Sequence, residues 1–309
     1  MRGGKRPIPE GAPGHPYTKS RESLMPRGAK GPRPPKGPKE PRLGEPKPRP
    51  TALRKGRIPP AKLVYEDEDI LGYDKPSGLA VIAPDGSRGR CLLDIATEQV
   101  KRRNPKGRAA VVHRIDRDTS GIVVFAKSAA VKKELMQDWD AIVSERLYVA
   151  LVEGEMDKDS GVLVSWLKED DSGRVRVAKT EEHGAKRATT RWKLLRSENG
   201  RSLLELSLET GRKHQIRVQL AGAGHPVVGD PRYGSRSLGR DEASRLCLHA
   251  TAIELRVPGH KDRRIESPVP EEFYKELRRP VNDRHASSSA SPFGARSGER
   301  KGRASPRGK

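Results

Sequence analysis

Apolar residues along the chain come in short bursts whose spacing switches between two periods. Ile70 to Asp74 and Leu79 to Ile82 read as strands on either side of a Lys75-Pro76-Ser77-Gly78 turn. Leu92, Ile95, Ala96 and Val100 recur at helical spacing. Val131, Leu135 and Trp139 recur every four residues, with Lys132, Lys133 and Asp138 between them, as in an amphipathic helix. Gly121 to Ala126 is a continuous apolar run, the pattern of a central strand buried on both faces, and Leu147 to Val152 is another. Leu204, Leu206 and Leu208 alternate with Glu205, Ser207 and Glu209, which predicts a half-exposed antiparallel strand. Arg212 to Leu220 fits a short helix, Leu246 to Val257 a strand, and Pro270 to Leu277 a closing helix. Strands outnumber helices, and few follow the strand–helix–strand rhythm of a parallel sheet. The pattern predicts an α+β domain over residues 59–280 with a large, mixed, mostly antiparallel sheet.

Composition adds two tails to that domain. The 309 residues are 33% hydrophobic and 34% charged, with a net charge of +22. Residues 1–58 hold 13 of the 26 prolines, and their 16 basic and 4 acidic residues leave a net +12. Proline at that density denies the backbone helix and ladder hydrogen bonds, so a disordered, basic tail with polyproline II character is expected. Residues 281–309 are rich in Ser, Gly, Ala and Arg with a net +5, a second disordered basic tail. The domain between them has 40 basic and 35 acidic residues, so most of the excess charge is on the tails. Such arms serve solubility, or they release counterions from a polyanion such as RNA. No apolar run approaches the roughly 20 residues of a membrane span, so no membrane partner is expected. Two cysteines, Cys91 and Cys247, are too few for a disulfide scaffold or a four-cysteine zinc site, and fit buried thiols in a reducing cytosol.

Three segments carry candidate chemistry. In VVHRIDRDTSGIVVFAK (111–127) polar residues crowd between two apolar strands, which would hold a carboxylate rigidly. Asp116 lies between Arg114 and Arg117, cations that would keep it ionised as a nucleophile or base. It could equally serve a loop satisfied by its own ion pairs; Asp118 to Gly121 reads as turn chemistry. In ETGRKHQIRVQL (209–220) a helix start surrounded by Arg212, Lys213, His214 and Arg217 is an anion site or a solvated basic helix, with His214 in a capping or packing role. In ERLYVALVEG (145–154) alternation sets Tyr148 opposite Leu147 and Val149, as core or as a stacking platform for a base. Walker, GxGxxG, GxSxG and HExxH patterns are absent, which disfavours nucleotide-cofactor enzymes, elbow hydrolases and zinc proteases.

HRIDRDTSGIVVFAKS at 113–128 resembles the signature of the RluA-type family of RNA pseudouridine synthases. DILGYDKPSGLAV at 69–81, ERLYVALVEG at 145–154, ETGRKHQIRVQLAGAGHPVVGDPRYG at 209–234 and CLHATAIELRVP at 247–258 resemble its other blocks in the same order. The N-terminal segment does not resemble the small S4 RNA-binding domain that many relatives carry. The resemblance implies one pseudouridine synthase catalytic domain that isomerises uridine in structured RNA without metal or organic cofactor. It implies Asp116 as the essential carboxylate, Tyr148 as the phenol stacked on uracil, and Arg217 as the partner of the aspartate. Arg114 matches a residue that fills the gap left by the extruded base, and His113, Arg117, Arg212, Lys213 and His214 are expected RNA contacts. Ribosomal RNA is the expected partner and transfer RNA the second choice, for a monomer in the cytoplasm. The rivals are a non-catalytic RNA-binding or ribosome-assembly protein, and a hydrolase or nuclease, for which Asp116 and Asp118 form too thin a carboxylate cluster.

Overall fold

The bursts of period two pair into one sheet, and the helices close over it. The computed structural model describes residues 58–280 apart from 85, 87, 88, 180, 235–242 and 244. Both expected tails, 1–58 and 281–309, lie outside the described residues except for Ile58. The strands are β1 (Lys62–Glu66), β2 (Ile70–Lys75), β3 (Ala110–Val111), β4 (Ser120–Ala126), β5 (Val143–Glu153) and β6 (Ser160–Glu169). They continue with β7 (Val175–Ala178), β8 (Lys186–Glu198), β9 (Arg201–Leu208), β10 (Leu248–Leu255) and β11 (Arg263–Glu266). The helices are α1 (Leu92–Lys101), α2 (Ala129–Gln137), α3 (Trp139–Ile142), α4 (Gln215–Gly222) and α5 (Glu271–Leu277). The sheet runs β1-β2-β4-β10-β5-β9-β8-β6-β7, with β3 also on β4 and β11 also on β10. Among the described pairs β10–β4 is parallel and the rest are antiparallel, so the sheet is mixed and mostly antiparallel as predicted.

The continuous apolar run of β4 is buried along its whole length because helices cover both of its faces. Ile122, Val124 and Ala126 pack with Leu135 of α2 and Ile142 of α3, whereas Val123 and Phe125 pack with Leu92, Ala96 and Val100 of α1. Farther along the sheet, Ile216 and Leu220 of α4 meet Trp192, Leu204 and Leu206, and Phe273 and Leu277 of α5 meet Leu203, Val149 and Leu151. Gly121 opens β4 at φ +109, where a Cβ would lie 2.1 Å from the Ala250 carbonyl oxygen. Glycine is therefore what lets β4 and β10 come together at the start of their parallel pairing.

The structure corrects four local expectations. Leu79–Ile82 is not a strand: the Ala80 and Val81 carbonyls accept from Leu92 and Leu93 N–H, so the segment satisfies the N-terminus of α1 instead of a ladder. The helical stripe at 131–139 is broken at Asp138 (φ −143, ψ 56), whose carbonyl accepts from Ala141 and Ile142 and starts α3. The helix expected from Arg212 begins at Gln215, after His214 takes the left-handed conformation (φ 53, ψ 20). Strand β9 is half exposed only in its second half, because α5 covers Leu203 on the other face.

Candidate active site

The 113–119 segment leaves β3 and returns into β4, so it is anchored at both ends in the sheet. A fully buried Lys75 holds it from beneath, donating Nζ hydrogen bonds to the carbonyls of Arg117 (2.9 Å), Leu79 (2.8 Å) and Pro76 (3.0 Å). Ser77 Oγ donates to the Asp118 carbonyl at 2.6 Å. The turn before α1 and the loop bearing Asp116 are thereby one body.

Asp116 lies in the wall of a cavity of about 350 Å³, with its side chain 24% exposed. Its Oδ2 accepts from Arg217 Nη1 at 3.0 Å, while Oδ1 accepts no hydrogen bond from a described residue. Arg217 is placed by Asp230, which is fully buried and takes both Nε (2.7 Å) and Nη2 (2.9 Å) of the guanidinium. That fork leaves Nη1 to point at Asp116. Asp230 is itself fixed, since Oδ1 also accepts from the Arg232 and Tyr233 backbone N–H groups. Burial works against the charge of Arg217, but its bonds to Asp230 and then Asp116 outweigh that and hold its pKa above the ordinary value. The Tyr233 ring stacks under the guanidinium, 5.2 Å from its carbon.

Tyr148 enters from β5 and lines the same cavity. Burial pushes its phenol up to about 12, with Asp116 acting in the same direction and Arg146 against it, so the hydroxyl is neutral at working pH. It packs against two neighbouring core clusters as well as lining the cavity. His113 also lines the cavity, but its Nε2 accepts from the Val124 backbone N–H at 2.9 Å and its ring stacks on Trp139 at 5.6 Å. Burial lowers its pKa to about 4, so it is a neutral, packed imidazole. His214 caps α4 with its backbone, and its Nδ1 shares a hydrogen bond with Tyr233 Oη at 2.7 Å. Its Nε2 is 3.7 Å from Asp116, and burial keeps its pKa well below the usual value despite that neighbour.

The expected basic cluster divides. Arg114 and Arg212 line the cavity, Arg212 donating Nε to the Arg187 carbonyl at 3.3 Å. Arg117 instead pairs with Asp118 at 3.2 Å, and Lys213 pairs with Glu169, both outside the lining. The structure brings Asp116, Tyr148 and Arg217 to one cavity, together with Arg146 in its lining and Asp230 behind Arg217, neither of which the sequence reading singled out. Asp230 carried a signal, the GDPRYG stretch, but no spacing rule relates it to Arg217. No group of three or more potential metal ligands occurs among the described residues. No helix among them is long and apolar enough to cross a membrane.

Residues 69–222 match the family model described as RNA pseudouridylate synthase. The chain is 35% identical over 238 residues to ribosomal large subunit pseudouridine synthase D of Nitrosomonas europaea, covering 74% of this chain and 68% of that protein. It is 35% identical over 238 residues to ribosomal large subunit pseudouridine synthase C of Vibrio cholerae, covering 75% and 72%. An uncharacterized RNA pseudouridine synthase of Zymomonas mobilis is 34% identical over 215 residues, covering 69% and 95%. Across the relatives compared, the match spans from 59% to 95% of their own lengths. Among solved structures, human RNA pseudouridylate synthase domain containing 4 aligns with a TM-score of 0.57 at 21% identity, over 71% of this chain and 94% of that one, a likeness of fold.

Proposed function

The chain belongs to the RluA-type family of RNA pseudouridine synthases, and from that premise we propose that it isomerises specific uridines of ribosomal RNA, with Asp116 as the essential carboxylate. Transfer RNA is the second choice of substrate. One observation carries the assignment: the partly exposed Asp116 side chain lies in the cavity wall, held by Arg217 through one oxygen while the other accepts no hydrogen bond from a described residue.

The chemistry breaks the N1–C1′ bond of uridine, turns the base, and joins C5 to C1′; the C5 proton leaves and N1 gains one. Asp116 acts at the ribose or the uracil as nucleophile or base, its charge kept by Arg217 and shared only in part because Asp230 balances that cation. Tyr148 receives the face of the uracil, and its neutral phenol assists the later proton transfer. A uracil in structured RNA must leave its stack at a cost of a few kcal/mol, and exposed Arg114 fills the vacancy. Arg212 contacts RNA at the cavity rim, Lys213 and Arg117 more distantly, and His113 and His214 shape the wall. The protein works as a monomer in the cytoplasm, where its RNA is.

The test is release of tritium from RNA labelled at uridine C5, with ribosomal and transfer RNA from cells lacking the gene as substrates. Release from ribosomal RNA, lost in Asp116→Asn, is the expected result. Tight RNA binding without release by the wild-type protein would favour the binding-only rival.

A further inference from the structure

Arg146 is a cation in the cavity wall without an anion among the described residues. It stands two residues before Tyr148 on β5, on the same face of the strand, and lines the cavity. Its Nη2 reaches the carbonyl oxygens of Leu208 at 3.5 Å and Glu209 at 3.3 Å, both long for a charged donor. Its Nε is buried and has no hydrogen-bond partner. No carboxylate of a described residue lies within ion-pair distance of it. Of the carboxylates lining the cavity, Glu209 pairs with Arg191 at 2.6 Å, Asp116 pairs with Arg217 at 3.0 Å through one oxygen, and Asp140 is exposed. The other arginines of the cavity differ: Arg217 is bound by two carboxylates, and Arg114 and Arg212 are exposed to water.

The neighbouring loop leaves room for this side chain. A Cβ on Gly211 would come within 2.9 Å of Arg146 Nη1. Drawing a guanidinium partly out of water without a counter-charge is unfavourable, and an unmade buried donor adds to the cost. A neutral uracil cannot offset a full positive charge. A phosphodiester can, and every nucleotide that enters the cavity brings one on each side of its ribose.

We propose that Arg146 receives a phosphodiester of the nucleotide turned into the cavity, in a seat kept open by Gly211. The contact pulls the backbone in toward β5 while the base meets Tyr148 and Asp116. This rests on the RNA reading of the same site, and it makes Arg146 a substrate-binding residue of that site.

The test uses a short RNA carrying a uridine that the protein has been shown to convert, with a methylphosphonate in place of the phosphodiester 5′ or 3′ of it. In the wild-type protein one of the two replacements is expected to raise KM roughly tenfold, the scale of one charge-assisted hydrogen bond. Arg146→Gln is expected to raise KM roughly tenfold on unmodified RNA, and by no further factor on that methylphosphonate. Arg146→Lys keeps the charge and recovers part of the loss. Gly211→Ala displaces only the end of a flexible side chain, so it gives the same, smaller loss in a folded protein. Multiplying losses from Arg146→Gln and the methylphosphonate would overturn the proposal, as would a wild-type KM indifferent to both replacements. Wild-type protein that converts no uridine in any RNA would overturn the RNA reading and the proposal together.

Discussion

Asp116, Arg217 and Asp230 act as one unit, in which each residue decides what the next can do. Asp116→Asn keeps the volume and the loop, since only one oxygen is bonded within the protein. It is expected to lower turnover by roughly a thousandfold or more while leaving RNA binding and thermal stability near wild type, read by tritium release beside a filter-binding assay. Arg217→Lys is expected to fail in a different way. One ammonium cannot span both oxygens of Asp230 and still reach Asp116, so a buried carboxylate loses partners. Both activity and melting temperature fall, activity by roughly a hundredfold; a variant with full activity would mean that Arg217 acts as a point charge. Tyr148→Phe retains the ring and loses a hydroxyl that is neutral at working pH, whereas Tyr148→Ala loses the platform. The expected split is near-normal RNA affinity with reduced turnover in Phe, and loss of both in Ala. Equal defects would assign the whole role to the hydroxyl.

At the scale of the element, the strand pair that carries the site depends on a glycine. Gly121→Ala would place a Cβ 2.1 Å from one backbone atom of Ala250 and 2.6 Å from another, at a φ of +109 that side chains rarely adopt. Neither strand can yield by a rotamer change, so a loss of more than about 4 kcal/mol is expected, seen as insolubility or a melting temperature lower by 10 °C or so. Elements with long, clean patterns were legible in the sequence: β4, β5, β10, α1 and α5 fall where the apolar spacing puts them. The errors share a cause. Leu79–Ile82 has the composition of a strand, but its carbonyls are needed by the end of α1. Likewise the helical stripe through Trp139 ignores the break at Asp138, where the ring turns to stack on His113. Periodicity reports which side chains are buried, and it is silent on where backbone groups find partners.

Across the whole molecule, three histidines, His249 buried and His113 and His214 half-buried, make stability depend on acid. His113 and His249 are lowered by burial to about 4, and His214 is lowered for the same reason. Their folded-state values lie below the unfolded one near 6.5, so the stability they contribute is complete above that pH and is lost as pH falls toward 4. Unfolding in that window is expected to take up close to three protons, measured from the slope of stability against pH; a flat profile between pH 6.5 and 4 would show the rings to be solvated. The charged tails belong to this scale too. Removing residues 1–57 and 281–309 takes away +12 and +5 of charge and none of the described contacts. The truncated protein is expected to melt as the full chain does, to bind RNA more weakly, and to show a flatter salt dependence, by roughly 0.7–0.9 in the log–log slope per lost phosphate contact. An unchanged slope would show that the tails touch no phosphate.

The linear chain determined the class of fold, the central strands, and the three residue types from which the site is built, because each of these is written locally as a period or a short motif. Only the tertiary structure decided that Asp230, thirteen residues after Arg217, turns that arginine toward one oxygen of an aspartate 101 residues away. It also decided that Arg146 meets no anion among the described residues and that Lys75, together with Ser77, ties down the loop bearing Asp116. Those are facts about distance and solvation between remote segments. They arise when the sheet brings β5, the 113–119 loop and α4 together around one cavity, and no spacing within a single segment encodes them.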